Sequence, residues 1–401
     1  MLTDLDRLMT DRGIGTLVVP MHELPHASFR WLARGARVTR GFAVRAGGRT
    51  VLFHDPMERD EAAASGVATR SLEDVGRSRI FANESGNAAA WARLIEAIVA
   101  DAGAREGLLA LVGAVPFPLY LGIAAELEGR GRPVWRGEED PIQLARKRKE
   151  PWELEAIGSV GRRTEQILET VRAFLREARI SGGVAHRKGE ALTIGWLKDF
   201  ITAEILRLGM IEDHETIVSQ GRDAGVPHSR GERSATLAVS SPLVIDIFPS
   251  DRLSGYFIDI TRTFCIGPVP DELERAHAQV LEAFELAAAE MRAGERASRY
   301  QALVCDFFEA RGHRTTRSHP GTTEGYVHGL GHGVGLDVHE RPSFALTPAN
   351  EDLVEAGDVL TIEPGLYYPD RGLGVRIEDT FHIDGNGRAV SFCTGGRGLA
   401  P

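Results

Sequence analysis

Residues that could bind metal ions occur in five separate motifs of the C-terminal half. They are Asp246 in VIDIF, Asp259 in FIDITRTF, His332 in GLGHGVG, Glu363 in TIEPG and Glu378 in RIED. If the fold brings them together, four carboxylates share one pocket, which is stable only when cations neutralise their charge. One imidazole among hard oxygen ligands suits manganese, cobalt or zinc, and a pair of such ions can activate water toward an amide carbonyl. The pattern therefore predicts a site for two divalent metal ions.

Two pairs of predicted strands carry the four carboxylates. The segments PLVIDIF and GYFIDITRTF are rich in apolar and β-branched residues, and the turn-like PSDRLSG between them favours a hairpin. Because side chains alternate along a strand, Asp259 is predicted to share a face with Thr261 and Thr263. The segments VLTIEPG and GVRIEDTFHI are predicted to pair in the same way, which places Glu378 on the face of Arg376.

Each carboxylate also has an ordinary structural interpretation. A single Asp near a turn can be a hydrogen-bonded structural residue, and Glu363 and Glu378 could form a salt bridge on the surface. An Asp inside an apolar strand is costly to bury without a partner, however, and this cost applies to Asp246. Only the five residues taken together favour a metal site.

Three histidines lie close together in the glycine-rich segment GYVHGLGHGVGLDVHE. They are His328, His332 and His339. The glycines disfavour a helix and permit close approach of the backbone, so extended or irregular chain around a ligand is predicted. A phosphate-binding glycine loop is the alternative, but neither a clear strand before the segment nor a helix after it supplies the context for one. A further histidine, His228 in GVPHSRGERS, is predicted to lie in a loop.

Residues 1 to about 145 are predicted to form an α/β domain. Strands are expected at 15–20, 41–46, 49–55 and 107–115, and a helix at 87–104. This region has no comparable cluster of His, Asp and Glu residues, so its role is predicted to be structural, oligomeric or substrate-shaping. Pro151 can open a helix because the first helical turn does not need its missing N–H, which places the domain boundary near residue 150.

The region from 151 to 401 contains one order of elements twice. Two helices followed by strands are predicted over 152–264 and again over 271–383, where the helices occupy 271–293 and 297–311. The order of helices and strands is repeated, but the amino-acid sequence is not. Two such halves could pack their sheets together with the helices outside, which leaves a cleft where ligands from both halves meet.

Composition limits the classes of function. The 401 residues carry a formal net charge of -10, which argues against nucleic-acid or anionic-membrane partners. The segment MLTDLDRLMTDRG lacks a signal-peptide pattern, and no apolar run reaches the roughly 18 residues that span a bilayer, so a cytoplasmic location is expected. Cys265, Cys305 and Cys393 are predicted to be buried free thiols. The basic run at 146–149 is predicted to be a solvated boundary.

The motifs taken in order resemble a known enzyme family. Over residues 215–385 the chain shows Asp, Asp-x-Thr-Arg-Thr, His-Gly-x-Gly-His-Gly-x-Gly, Val-His-Glu, Glu-Pro-Gly and Arg-x-Glu-Asp, which resembles the dinuclear metallopeptidases with the pita-bread fold. That family includes aminopeptidase P, prolidase (Xaa-Pro dipeptidase) and methionine aminopeptidase. The resemblance implies a creatinase-like α/β N-terminal domain, residues 1–150, and an α+β pita-bread catalytic domain with a pseudo-twofold repeat, residues 151–401. An N-terminal domain of this size argues against a minimal methionine aminopeptidase.

The resemblance also implies roles for individual residues. Two divalent ions (manganese, cobalt or zinc) would be bound by Asp246, Asp259, His332, Glu363 and Glu378. Among these, Asp259 and Glu378 would bridge the ions, and Glu363 would also act as the general base. The substrate site would be lined by His228, His328, His339 and Arg376. Of these, Arg376 and His328 would hold the carbonyl or carboxylate on the proline side of the substrate. The expected partners are a proline-containing dipeptide or short peptide and a second copy of the chain in a homodimer.

The implied reaction is hydrolysis of the Xaa-Pro peptide bond, above all in Xaa-Pro dipeptides. An aminopeptidase P acting on longer Xaa-Pro peptides would use the same ligands and is the first alternative. The others are a creatinase-like amidinohydrolase, which works without metal, a lyase acting on a small sulfonium substrate, and a non-catalytic peptide-binding module of the same fold. The retained set of five ligands argues against the metal-free and non-catalytic alternatives.

Overall fold

The computed structural model describes residues 2–22 and 26–401 and separates into two compact units. One unit is Met1–Arg146 and the other is Lys147–Pro401, so the division falls close to residue 150. The basic run at this position is not solvated as predicted, because Lys147 and Lys149 are buried against acidic residues of the second unit. Lys149 Nζ lies 2.9 Å from Glu340 Oε2, and Lys147 Nζ lies 2.7 Å from Glu355 Oε2.

The first unit is an α/β structure built on one mixed sheet. Its helices are α1 (Leu2–Asp11), α2 (Ala27–Leu32), α3 (Arg59–Ala64), α4 (Arg77–Asn83), α5 (Asn87–Asp101), α6 (Phe117–Gly129) and α7 (Pro141–Arg146). Its strands are β1 (Ile14–His22), β2 (Arg40–Ala46), β3 (Arg49–His54), β4 (Ala68–Ser71) and β5 (Leu108–Leu111). The order in the sheet is β4-β3-β2-β1-β5, with antiparallel pairing in the centre and parallel pairing at both edges.

Both faces of this sheet are buried along β1, β2 and β3, which explains why these strands are largely apolar, whereas the edge strand β4 is partly exposed. Successive residues of β1 alternate between two cores, with Leu17 in one and Val18 in the other. The predicted strands and the predicted helix of this unit are confirmed. Strand β5 is shorter than predicted because Gly113 adopts a φ of +105°, outside the range of an extended strand.

The second unit combines four long helices with several small sheets. The helices are α8 (Pro151–Arg176), α9 (Ile194–Arg207), α10 (Asp271–Glu290) and α11 (Ala297–Glu309). The strands of the first half are β6 (Arg179–Ser181), β7 (Val184–Arg187), β8 (Glu190–Ala191), β9 (Met210–Ile211), β10 (Ile217–Gln220), β11 (Pro242–Ile247), β12 (Ser250–Asp251) and β13 (Ile260–Cys265). Those of the second half are β14 (His332–Gly333), β15 (Glu340–Ser343), β16 (Val359–Ile362), β17 (Gly365–Tyr368), β18 (Leu373–Arg376), β19 (Asp379–Ile383) and β20 (Ala389–Ser391).

The predicted repeat of element order is confirmed in this unit. Helices α8 and α9 precede the sheet β10-β11-β13, and α10 and α11 precede the sheet β15-β14-β16-β19-β20. Two backbone hydrogen bonds join the sheets. Thr261 N donates to Glu378 O at 3.3 Å, and Glu378 N donates to Thr261 O at 3.1 Å. The two halves therefore meet directly at one of the predicted metal ligands.

The helices are positioned by recognisable sequence features. Helix α8 begins at Pro151, as predicted, and Glu150 and Glu153 form a capping box at its start. Helices α10 and α11 bury an apolar stripe that includes Phe284 and Phe308 against the core beneath the second sheet. Among the helices of the described residues, none has the length and apolarity needed to cross a membrane.

Candidate metal centre

All of the residues predicted to form the site line one cavity of the second unit, with a volume of about 470 Å³. They reach it from β11, from the residue before β13, from the glycine-rich segment, and from the ends of β16 and β18. Residues far apart in sequence thus share one cavity because the two sheets are joined at Thr261 and Glu378.

The hairpin of the first half directs its polar side chains toward the second half. Asp246 lies opposite Thr261 in the antiparallel pair of β11 and β13. Thr261 Oγ1 donates to Glu378 Oε2 at 2.7 Å, and the backbone N of Asp259 donates to Thr380 Oγ1 at 3.0 Å. The polar face predicted for this strand is therefore the one that meets Glu378.

The second half is more complex than a single hairpin. Strand β16 pairs with β19 as predicted, but the intervening GLYY and LGVR segments form a hairpin of their own, β17 with β18. Glu363 consequently follows β16, and Glu378 lies between β18 and β19. The alternative of a surface salt bridge is wrong, because Glu378 is only 2% exposed.

His332 lies at the centre of the acidic residues. Its Nε2 atom is 3.7 Å from Asp259 Oδ2 and 3.5 Å from Glu363 Oε1. Ligand atoms of Asp259, His332 and Glu378 all lie within 4.8 Å of one another. The backbone N of His332 donates to Thr361 Oγ1 at 3.1 Å, which fixes the segment against β16. This spacing suits side chains that share a metal ion.

The carboxylate oxygens of the cavity supply a direct test of whether the residues fit metal ions. Asp246 Oδ1, Asp259 Oδ1 and Glu378 Oε1 are buried and have no hydrogen-bond partner among the described residues. Buried polar atoms in folded proteins nearly always have a partner, and an unpaired carboxylate oxygen is especially costly. Hard oxygen atoms in this position are suitable ligands for divalent cations. The donor set therefore fits metal binding.

The carboxyl groups are strongly perturbed when no cation accompanies them. Burial raises the pKa of Glu363 to about 8, while the Arg376 guanidinium opposes the rise and the Asp246 carboxylate adds to it. Burial and the neighbouring Glu378 raise the pKa of Asp259, and burial and the neighbouring Glu363 raise the pKa of Glu378. Without cations the cluster therefore holds protons at a pH at which ordinary carboxyl groups are ionised.

Three histidines of the cavity, His328, His332 and His339, have lowered pKa values and are neutral at pH 7. Burial lowers the pKa of His328 and of His332 to about 3, and burial lowers the pKa of His339. A neutral imidazole is the form that binds a metal ion or accepts a hydrogen bond. The rings of His332 and His339 are 4.3 Å apart and nearly perpendicular, and His228 lines the same cavity.

Arg376 is buried and its guanidinium is held from several directions. Its Nη2 atom donates to Asp246 Oδ2 at 2.5 Å and its Nε atom to Thr261 Oγ1 at 3.1 Å. Its Nη1 atom donates to Tyr367 Oη at 2.9 Å and to Pro227 O at 3.2 Å. Most of its hydrogen-bond capacity is thus directed at the protein itself.

Comparison with known proteins places the chain in a family. A model of metallopeptidase family M24 matches residues 155–385, which is more than half of the chain. The chain belongs to metallopeptidase family M24. Membership of family M24, together with the cluster of Asp259, His332 and Glu378, supports divalent metal ions as the class of cofactor.

Curated relatives of the chain match it over part of its length. The Xaa-Pro dipeptidase of Pyrococcus furiosus is 32% identical over 173 residues, which cover 43% of this chain and 45% of that relative. The chain spans about half the length of the curated relatives it matches.

Solved structures extend the similarity to the whole chain. The Xaa-Pro dipeptidase from Bacillus anthracis has a TM-score of 0.77 at 20% identity and covers 99% of both chains. The X-Pro aminopeptidase from Thermotoga maritima has a TM-score of 0.74 at 22% identity and covers 100% of this chain and 99% of that chain. These similarities confirm the predicted two-domain pita-bread fold.

Some residues of this M24 site were not predicted from the sequence. Tyr367 contacts both Arg376 and His328, and Thr380 bonds the backbone of Asp259. Thr380 follows Glu378 by two residues on the same strand face, so alternation could have indicated it. Tyr367 could not be found in this way, because its position depends on the unexpected β17–β18 hairpin.

Proposed function

We propose that this chain hydrolyses the peptide bond before proline, with Xaa-Pro dipeptides as its main substrates. The observation that supports this most strongly is the convergence of four carboxylates and one imidazole on a single cavity, with carboxylate oxygens that lack partners within residues 2–22 and 26–401. The names of its relatives supply the substrate class, since the similar proteins of Pyrococcus furiosus and Bacillus anthracis are Xaa-Pro dipeptidases.

The proposed cofactor is a pair of divalent ions, either manganese, cobalt or zinc. The residues that would hold them are Asp246, Asp259, His332, Glu363 and Glu378. When bound, the ions would polarise the scissile carbonyl and lower the pKa of water at the site. Asp259 and Glu378 would be central to holding the ions, which agrees with their unpaired oxygens and their closeness to His332.

Glu363 is the proposed general base. Its Oε1 atom is 3.5 Å from His332 Nε2, and burial with its acidic neighbour already gives the carboxyl group a raised proton affinity. A carboxylate of this kind can take a proton from the attacking water on one of its oxygens. The same proton would then pass to the prolyl nitrogen, which is tertiary and must be protonated before it leaves.

His339 and His228 are the proposed donors to the substrate carbonyl. Both side chains are exposed to the cavity, and the neutral imidazole of His339 carries one N–H. A donor placed where negative charge develops stabilises the transition state more than the ground state. Their role would therefore be seen in kcat more than in KM.

We assign Arg376 and His328 differently from the prediction that they hold the proline end of the substrate. Arg376 is bound to Asp246, Thr261 and Tyr367, and both ring nitrogens of His328 are engaged, with Tyr367 Oη and with Gly329 O. These bonds support a positioning role, in which Arg376 orients Asp246 for its metal ion. The prediction of direct substrate contact by these two residues stays untested.

Aminopeptidase P activity on longer peptides is the second candidate. It is favoured by the similarity over the whole chain to an X-Pro aminopeptidase. A homodimer and a cytoplasmic location stay predictions from the sequence. The metal-free amidinohydrolase is disfavoured because it would leave the buried acidic residues uncompensated.

One assay tests the proposal. Metal-free protein is reconstituted with manganese, cobalt or zinc and offered Ala-Pro, Ala-Pro-Ala and Ala-Ala, with products identified by mass spectrometry. We expect cleavage of Ala-Pro and not of Ala-Ala. Cleavage of Ala-Pro-Ala at a higher rate than Ala-Pro would favour the aminopeptidase, and absence of cleavage with every metal would refute the proposal.

Replacement of one proposed metal ligand tests whether the activity depends on the acidic residues of the cavity. Asp259→Asn is expected to lose bound metal, measured by elemental analysis, together with activity. Asp370→Asn is the matched control, because Asp370 is exposed on the turn between β17 and β18 and should keep both. An active, metal-loaded Asp259→Asn protein would contradict the ligand assignment.

A further inference from the structure

Two arginines, Arg230 and Arg376, line the cavity. They differ in the hydrogen bonds and ion pairs that their guanidinium groups make. Arg376 is 3% exposed and directs its donors at the protein. The side chain of Arg230 is exposed, and within residues 2–22 and 26–401 it makes no hydrogen bond or ion pair. Arg230 is therefore a cation at the cavity whose charge is not used by the fold.

The loop that carries Arg230 has a fixed backbone. On one side, Pro227 O accepts a hydrogen bond from Arg376 Nη1 at 3.2 Å. On the other side, Gly231 has a φ of +73°, and a Cβ atom there would overlap the carbonyl oxygen of Val218. Only glycine tolerates this conformation and this contact easily. Arg230 is consequently presented to the cavity from a defined position.

The acidic residues around the cavity do not need Arg230 as a partner. Glu215 is the lining acid nearest to it in sequence, and its carboxylate is paired with Lys198 at 2.8 Å and with Arg233 at 2.6 Å. Asp246 is paired with Arg376, and the remaining carboxylates belong to the proposed metal cluster. The natural counterion for Arg230 is therefore an anion brought by the ligand.

We propose that Arg230 binds the C-terminal carboxylate of the dipeptide substrate. This inference rests on the proposed function. In an Xaa-Pro dipeptide only the proline residue separates the free carboxylate from the scissile bond, so this carboxylate lies in the cavity that Arg230 and the metal cluster line. A guanidinium can bind such a carboxylate through two parallel hydrogen bonds. Arg230 would then determine the preference for dipeptides, because longer peptides and amides place no carboxylate at this point.

The test compares substrates that differ only in that carboxylate. Metal-loaded wild-type protein is expected to cleave Ala-Pro about 10- to 100-fold more efficiently than Ala-Pro amide, as is typical for one charge-assisted pair. In Arg230→Gln the ratio of kcat/KM for Ala-Pro to kcat/KM for Ala-Pro amide should fall to near one, because the KM for Ala-Pro rises. Arg230→Lys should restore part of the ratio because it keeps the charge but loses the planar fork. Arg222→Gln, at an exposed arginine upstream on the same segment, is the control and should behave as wild type.

The outcomes separate this inference from the proposed function. If the wild type cleaves Ala-Pro but Arg230→Gln keeps the preference for the free acid, the inference is wrong and the proposed function stands. If the wild type cleaves no Xaa-Pro substrate, the proposed function fails, and binding of L-proline and L-prolinamide is measured by calorimetry instead. Tighter binding of proline that disappears in Arg230→Gln would still support a carboxylate site, whereas absent or unchanged proline binding would overturn it.

Discussion

The hydroxyl group of Tyr367 determines which ring nitrogen of His328 carries the hydrogen atom. Its Oη atom lies 2.9 Å from Arg376 Nη1 and 2.8 Å from His328 Nε2. The guanidinium can only donate, so the tyrosine oxygen accepts from it and gives its own proton to His328 Nε2. Burial raises the pKa of Tyr367 to about 12, so the hydroxyl keeps that proton. His328 must then carry its hydrogen on Nδ1, which donates to Gly329 O at 2.7 Å.

The first prediction removes this hydroxyl. In Tyr367→Phe, Arg376 loses an acceptor and His328 loses a donor, so we expect kcat/KM for Ala-Pro to fall about 10-fold and the free energy of unfolding to fall about 1–2 kcal/mol. Metal content should not change. Tyr368→Phe is the matched control, since Tyr368 Oη bonds His313 Nδ1 at 2.5 Å instead. Steady-state kinetics and denaturant titration measure both variants, and equal activity loss in the two would argue against a positioning role for Tyr367.

At the scale of elements, the glycine-rich segment lies directly on β16. A Cβ atom at Gly331 would be 2.8 Å from Thr361 Oγ1, the atom that accepts the hydrogen bond of His332 N, and would overlap the Thr361 carbonyl oxygen. At Gly329 the same atom would meet nothing within 4 Å. The two glycines thus have different functions although they look alike in the sequence.

The second prediction compares these two positions. Gly331→Ala should displace His332, weaken metal binding at least 10-fold and lower the free energy of unfolding by about 1–3 kcal/mol through overpacking. Gly329→Ala should leave metal content and stability close to wild type. Metal titration and thermal unfolding provide the readouts. Activity is unsuitable here because Gly329 lines the cavity, where a methyl group could obstruct substrate. Normal metal affinity in Gly331→Ala would show that β16 does not fix His332.

The sequence was sufficient for the main elements and for nine of the residues that line the cavity, namely Asp246, Asp259, His332, Glu363, Glu378, His228, His328, His339 and Arg376. Alternation placed Asp259 and Thr261 on one face, and Pro151 marked the start of α8. Periodicity could not separate VLTIEPGLYYPDRGLGVRIED into two nested pairs, because both strands of the inner hairpin are as apolar as those of the outer one. For that reason Tyr367 was missed, and so were the hydrogen bonds that hold Arg376 to Tyr367 and Asp246. Contacts across nested strands depend on register, which single-sequence patterns do not specify.

For the whole molecule, the acidic cavity connects pH, metal and stability. In the metal-free protein the pKa of Glu363 is raised to about 8, and those of Asp259 and Glu378 are raised as well. At pH values above the usual range of carboxyl pKa values, the folded state therefore binds more protons than the unfolded state. Stability from these groups is fully present below their unfolded pKa values and is lost as the pH rises through the folded ones.

The stability of the metal-free protein is therefore expected to decrease as the pH rises. Between about pH 5 and about pH 8, the free energy of unfolding of the metal-free protein should fall by on the order of 3 kcal/mol more than that of the metal-loaded protein. Bound cations remove this dependence of the free energy of unfolding on pH because they compensate the charge of the ionised carboxylates. Chemical denaturation with and without chelator at several pH values measures the difference, and Glu363→Gln should reduce it. Parallel pH profiles for the two forms would contradict the charge cluster.

The bridge between Thr261 and Glu378 also bears on how the protein matures. Asp246 and Asp259 are synthesised before Glu363 and Glu378, so the strand segment that completes the site is made after both aspartates. A nascent chain up to Cys265 carries two aspartates and no complete coordination shell. Incorporation of the ions should therefore follow synthesis of Glu378, and a fragment that ends at Cys265 is expected to retain no metal pair.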